Sequence, residues 1–308
     1  MYIGIDLGGI NLAAGLVNDS GEIISRRSVP TPKTPEAVAQ AIAEHVWGLL
    51  ADSDGSVKYI GIGSPGVIDP VNGVVEYWSN LDFHDVPIAE MVAKLTGIPV
   101  FVENDASCAA LGEYKAGAGK GSRSMLVVTL GTGVGGGAVL DGKLYGGVNN
   151  AALEIGHFVI EHNGRLCTCG RRGCFEAYCS ATALMKEARK AMDSAPDSVL
   201  WEYAGTKEAI NGKLIFDAYA VKDPAAVKVV DEFISYLGDG ITSLVNIFQP
   251  DVVCVGGGIA GAGETLLAPV REILDREDYA RHCKKRTKLI KAMLGNDAGI
   301  IGAAMLKA

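Results

Sequence analysis

A chain of 308 residues with net charge −8, 48% hydrophobic and 21% charged, is balanced like a soluble globular protein and is long enough for two cores. That composition excludes disordered and fibrous classes, and the negative charge argues against a general binder of nucleic-acid phosphates. Every apolar run is too short for a membrane span, and the opening Met-Tyr-Ile-Gly-Ile-Asp reads as a strand without the basic start of a secretory signal, so a cytoplasmic protein with no membrane partner is expected.

In chain order, a strand from Ile3 enters a turn at Gly8-Gly9, followed by a strand over 12–17, the polar turn Asn18-Asp-Ser-Gly21 and a third strand through Ile24. Residues 35–50 predict a helix, because Val38, Ala41, Ile42, Val46 and Leu49 recur at spacings of three and four and Pro35 suits a first turn. Strands are expected at 59–62 and 100–103, and helices at 88–95 and 105–115. The opening pattern then returns: strand 127–130, turn Gly131-Thr132-Gly133, strand 136–140, turn Asp141-Gly142 and strand 143–145. Two such units suggest duplicated domains facing each other across a cleft. Helices at 180–192 and 224–248 and a strand at 252–255, ending in Gly256-Gly257-Gly258, complete an alternating α/β pattern. Residues 193–212 lack periodicity and are expected as a helical or irregular cap on the second domain, and the basic run 281–286 reads as solvated surface.

Three groups of residues carry chemistry. Asp6, Gly8 and Gly9, with Gly131, Thr132 and Gly133 and then Gly256, Gly257 and Gly258, place glycines where strands end, so that backbone N–H groups approach an anion closely. Asp6 suits Mg2+ held through water, and the absence of Gly-x4-Gly-Lys-Ser/Thr excludes a P-loop enzyme. The plain alternative is a pair of ordinary hairpins. In Glu103-Asn104-Asp105 a strand gives way to a helix. Alone, Asp105 reads as a helix cap; its functional reading is a general base at a strand's carboxyl end. The third group is Glu154-Ile-Gly-His157 with Cys167-Thr-Cys169 and Cys174-Phe-Glu176. Three of seven cysteines clustered beside a histidine favour a closed, structural zinc shell over disulfides in a reducing compartment, the alternative being a reduced cluster without metal. Cys108, Cys179, Cys254 and Cys283 are scattered and read as inert thiols.

These motifs, with Gly299-Ile-Ile-Gly302 near the end, resemble the ROK sugar kinases over essentially the whole chain. The resemblance implies an α/β fold of two actin-like (ribonuclease H-like) domains facing across a cleft, 1–118 with 296–308 and 119–295, the second carrying a zinc-binding loop. It implies transfer of the ATP γ-phosphoryl to the 6-hydroxyl of a hexose, most often glucose, with Asp105 as base. Gly66, Asn80, Asn104, Asp105, Glu154, His157 and Glu176 would hold the sugar. Asp6, Gly8, Gly9 and Asn11, with the later glycine turns, would hold ATP and Mg2+, and His157, Cys167, Cys169 and Cys174 would hold zinc. A homodimer or homotetramer follows by the same analogy. Two positions depart from the family: Ile10 stands where Thr is usual, and Leu153 where Gly is frequent. A kinase is still expected, although Ile10 leaves a sugar-binding pseudokinase open, and a bulky Leu153 would disfavour N-acetylated sugars. Mannose, fructose, allose and amino sugars stay open as substrates, as does a zinc-stabilised interaction protein without an active cleft. Family repressors carry an N-terminal DNA-binding extension, whereas this chain begins at the first phosphate strand, which favours a kinase.

Overall fold

The apolar alternation of the first residues produces an antiparallel meander of β1 (Tyr2–Leu7), β2 (Asn11–Val17) and β3 (Ile23–Pro30), followed by α1 (Pro35–Ala51), β4 (Ile60–Ser64), β5 (Val67–Asp69), β6 (Val74–Trp78), β7 (Phe83–Val86), α2 (Ile88–Thr96), β8 (Val100–Asn104) and α3 (Asp105–Ala116). The second half runs β9 (Met125–Leu130), β10 (Val134–Leu140), β11 (Lys143–Leu144), α4 (Glu176–Cys179), α5 (Ala181–Ser194), α6 (Val199–Ala204), α7 (Gly212–Ala220), α8 (Pro224–Phe248), β12 (Val252–Gly256), α9 (Glu264–Glu277), β13 (Lys288–Lys291) and α10 (Ala298–Ala304). The computed structural model describes residues 1–53, 57–78 and 81–308.

Two five-stranded sheets share one plan, with strand orders β3-β2-β1-β4-β8 and β11-β10-β9-β12-β13. In each, a hairpin of antiparallel strands lies on one side and later strands are added on the other. β1 pairs antiparallel with β2 and parallel with β4, β4 pairs parallel with β8, and β12 pairs parallel with β13, so the sheets are mixed. The repeated glycine-turn pattern therefore corresponds to a repeated sheet topology. A third, three-stranded antiparallel sheet, β5-β6-β7, was not foreshadowed by any alternation in the sequence.

The chain forms two compact units: Met1–Leu126 with Gly137–Leu153 and Met293–Ala308, and Val127–Gly136 with Glu154–Ala292. In the first, Ile3, Ile5, Leu12, Ile42, Val46, Ile60, Ile62 and Val102 build the core, and Trp78 and Ile68 of the small sheet join it. Helix α10 is buried along its whole length and packs on α3, β1 and β4. Its approach is backbone to backbone: a Cβ on Gly61 would lie 1.8 Å from the Ala303 carbonyl oxygen, and one on Gly302 would lie 1.6 Å from that of Cys108. In the second unit, α8 spans Pro224–Phe248, capped at its start by the Asp223 carboxylate, and packs on α5, α7 and α9. Among the described residues no helix is long and apolar enough to cross a membrane.

Candidate active site

In the first unit, β1, β4 and β8 run parallel, and the register aligns Asp6 with Gly63, Gly63 with Glu103 and Ser64 with Asn104. Their carboxyl ends therefore gather Asp6, Asn104 and Asp105, the place where ligand sites form in α/β sheets. The cap of α3 is Asn104, not Asp105. Asn104 keeps an extended backbone, and its Oδ1 accepts the Ala106 and Ser107 amides at 3.0 and 3.2 Å. Asp105 is already helical and accepts the Ala106 amide, at 2.8 Å, through Oδ1. Capping is thus done by the neighbouring Asn104 side chain, which spares the Asp105 carboxylate that role. Asn104 Nδ2 also donates to the Gly66 carbonyl at 3.2 Å, so Gly66 and Asn104 are brought together.

Burial raises the pKa of Asp105, opposed by the Ala106 amide. Asp6 is pushed up to about 6, chiefly by burial and then by the negative charge of Asp105. The backbone of α10 lies against this group, since a Cβ on Gly299 would be 2.9 Å from the Asp6 carboxylate. Two half-buried carboxylates whose proton affinities are raised by burial, Asp6 also by the charge of Asp105, make a setting in which a cation favours the ionised forms.

The first glycine turn is tight, with the Gly8 amide donating to Asn11 O at 2.9 Å. Thr31, at the end of the meander, braces it: its hydroxyl donates to Gly8 O at 2.6 Å and its amide to Ile10 O at 2.8 Å. Gly9 is half-buried, Asn11 is exposed, and Ile10 is 80% exposed. Asn80 lies outside the described residues.

In the second unit the turn Gly131-Thr132-Gly133 is anchored through its carbonyls. The Ala181 amide donates to Gly131 O, and the Thr182 hydroxyl to Thr132 O, both at 2.8 Å. Among the described residues the Thr132 and Gly133 amides have no hydrogen-bond partner, so they remain as donors for an anion. Gly256 ends β12 in the interior, and Gly257 and Gly258 are exposed at its carboxyl end.

His157 ends a single 3-10 turn, Ile155–His157, whose preceding residue Glu154 is exposed. Cys167, Cys169 and Cys174 lie on a knuckle closed by the Cys167 amide on Arg171 O and the Gly170 amide on Cys167 O. The ligand atoms of His157, Cys167, Cys169 and Cys174 all lie within 4.8 Å of one another. His157 Nδ1 is 3.7 Å from Cys167 Sγ, and the Cys169 and Cys174 sulfurs are 3.6 Å apart. Tetrahedral zinc with ordinary Zn–S and Zn–N bonds requires ligand separations of about 3.5–3.8 Å, so the donor set and its spacing fit zinc. Burial and the adjacent thiols push Cys174 up to about 12, and only a cation would make it a thiolate at neutral pH.

Glu176 follows the knuckle and starts α4. Its Oε1 accepts the Thr168 hydroxyl at 3.1 Å and its Oε2 the Val134 amide at 3.0 Å. A cavity of about 340 Å³ is lined by Thr132, Gly133, Cys167, Thr168, Glu176 and Ser180, among others. A larger cavity in the first unit, about 680 Å³, contains none of the expected site residues.

Residues 2–308 match the ROK family. The chain belongs to the ROK family. The glucokinase of Thermotoga maritima is 40% identical over 309 residues, covering 99% of this chain and 96% of that protein. A ROK family glucokinase from Streptomyces griseus, solved in complex with glucose and AMPPNP, superposes with a TM-score of 0.81 at 37% identity, covering 99% of this chain and 98% of that one. The N-acetylmannosamine kinase of Haemophilus influenzae is 32% identical over 305 residues, covering 98% of this chain and 93% of that protein. The α/β architecture with its duplicated mixed sheets is accordingly the actin-like ATPase fold of ROK glucokinases.

Within this ROK framework several supporting residues escaped sequence reasoning. Glu103 is buried, and its Oε1 accepts the Asn104 amide at 2.8 Å and Asn150 Nδ2 at 2.6 Å, tying the end of β8 to a distant loop. Thr31 and Thr168 brace the first glycine turn and Glu176. Glu103 and Thr168 stand inside motifs the sequence displays, but their bracing contacts reach partners that no spacing reveals. Leu153 adopts φ +66°, the left-handed conformation that favours glycine, so the residue expected there by resemblance would sit without backbone strain.

Proposed function

We propose that this sugar kinase transfers the γ-phosphoryl group of ATP to the 6-hydroxyl of glucose, with Asp105 as general base. The observation that carries this reading is Asp105 itself: a carboxylate at the ends of three parallel strands, relieved of capping by Asn104 and made more basic by burial. A base of that kind takes the proton of an attacking hydroxyl more readily than an ordinary aspartate. Glucose is favoured because the Thermotoga maritima and Streptomyces griseus relatives are both glucokinases.

Asn104 holds Asp105 and Gly66 in fixed relation. Glu154, His157 and Glu176 orient the sugar hydroxyls, and with Nδ1 of His157 turned towards Cys167, its Nε2 is left for substrate. The amides of Thr132 and Gly133, and the turns at Gly8-Gly9 and Gly256–258, cradle phosphates through fixed N–H donors, the electrostatic pre-alignment on which phosphoryl transfer depends. Asp6 would hold Mg2+, which would supply neutralisation of charge on the transferring phosphates. His157, Cys167, Cys169 and Cys174 would hold a structural zinc, which would order the loop presenting Glu154 and Glu176.

A panel of free hexoses with ATP tests the reading. ADP release is expected with glucose, more weakly or not at all with mannose, fructose, allose and N-acetylmannosamine, from a preparation carrying about one zinc per chain. Preferred turnover of an N-acetylated sugar contradicts the substrate assignment. Exposed Ile10, in place of a turn hydroxyl, favours a second reading, a sugar-binding protein without transfer. That protein binds hexose in calorimetry and releases no ADP.

A further inference from the structure

Glu176 is committed to the protein on both of its oxygens before any sugar arrives. The Val134 amide, just after the turn Gly131-Thr132-Gly133, reaches Oε2 at 3.0 Å. The Thr168 hydroxyl, between the two cysteines of Cys167-Thr168-Cys169, reaches Oε1 at 3.1 Å. The approach to the turn is close, since a Cβ on Gly133 would lie 2.3 Å from Oε2. Gly133 thus makes room for a carboxylate as well as flexibility for a turn.

A carboxylate offers about four lone-pair positions, so two remain for hydroxyl donors once Val134 and Thr168 are bound. The two donors therefore fix the plane in which the remaining lone pairs point without using them up. Cys167 Sγ is also near, 3.6 Å from Oε1. That contact is long and a thiol is a weak donor, whereas the hydroxyl of Thr168 stands at 3.1 Å. The Thr168 hydroxyl is therefore the stronger donor on Oε1.

We propose that Thr168 is a positioning residue, its hydroxyl orienting Glu176 so that one carboxylate joins the cysteine knuckle to the glycine turn at Val134 and presents its free lone pairs to the sugar. The sugar role of Glu176 rests on the function proposed above, whereas the link from Thr168 to Val134 does not. Thr168 sits in the variable position of Cys-x-Cys, where neither zinc binding nor the fold demands a hydroxyl.

The test compares Thr168→Val, which keeps the shape and removes the hydroxyl, with Thr168→Ser, which keeps the hydroxyl. Three quantities are read on the zinc-loaded protein: zinc content, exchange of the Val134 amide proton without sugar, and glucose kinetics. Thr168→Val is expected to keep its zinc, to lose about fivefold in Val134 protection, and to raise the glucose KM about fivefold with kcat changed less than about twofold, as for loss of uniform binding by one charge-assisted hydrogen bond. Thr168→Ser is expected to restore both. Unchanged Val134 protection in Thr168→Val, failure of Thr168→Ser to rescue, or zinc loss as the source of the defect would each overturn the positioning role. Altered Val134 protection with unaltered glucose binding keeps the link and removes Glu176 from the sugar site, and a wild-type protein that binds no hexose removes the proposed function alone.

Discussion

At the scale of single residues, the site is a balance between burial and charge. Asp6 and Asp105 stand at the carboxyl ends of β1 and β8, on either side of β4, and each is harder to ionise than an isolated aspartate. For Asp6 the consequence for stability has a definite sign. Its carboxyl, at about 6 when folded against an ordinary 3.8, binds a proton more tightly in the folded chain. It therefore contributes stability below about pH 3.8, and that contribution is lost as pH rises through about 6. Asp6→Asn retains the neutral form at every pH. Discounted for the partial exposure of the group, Asp6→Asn is expected to be about 2 kcal/mol more stable than wild type at pH 8 without Mg2+ or nucleotide, the gap closing towards pH 4. Urea unfolding across that range measures it, and a gap that is constant or reversed contradicts burial as the cause. The cost of an ionised Asp6 in the resting protein is the counterpart of its proposed use as a cation holder.

At the scale of elements, most helices and strands were legible and most of what holds them together was not. Helix α8 spans the residues its apolar period marks, 224–248, because a Pro and an Asp open it and the spacing of three and four is unbroken. The glycine hairpins were legible because turn chemistry is local. The capping assignment failed by one residue, since Asn and Asp in tandem both suit a cap and only the backbone decides between them. The bonds from Thr31 to Gly8 and from Asn150 to Glu103 join residues far apart in the chain, which no periodicity encodes. Glu113 of α3 is the clearest case. Its buried carboxylate accepts the amides of Ala118 at 2.9 Å, Met293 at 2.9 Å and Leu294 at 2.7 Å, pinning the segment that leads into α10. Glu113→Ala leaves three amides without that acceptor, and a loss of about 4 kcal/mol is expected in thermal or urea unfolding. A loss below about 1 kcal/mol would mean that water replaces the carboxylate and that the segment is held by packing alone.

At the scale of the molecule, one sheet plan appears twice, and each copy ends in glycine turns at strand termini. That repetition was readable because it is written twice in the sequence; the zinc-type cluster was readable because soft ligands at close spacing have few other uses. The sugar was not readable, because hydroxyl stereochemistry is read by side chains from several segments. ROK relatives at comparable coverage act on glucose in one case and N-acetylmannosamine in another. The family thus supplies a kinase, and the disposition of Asp105 supports its proposed role as base. The most direct measurement is mass spectrometry of ATP and glucose incubated with wild type and with Asp105→Asn, alongside glucose binding by calorimetry. The expected result is glucose 6-phosphate from wild type, at least about a hundredfold less from Asp105→Asn, and glucose binding retained in both. Near-normal turnover by Asp105→Asn would contradict the assignment of the base, and no sugar phosphate from the wild type would contradict the activity.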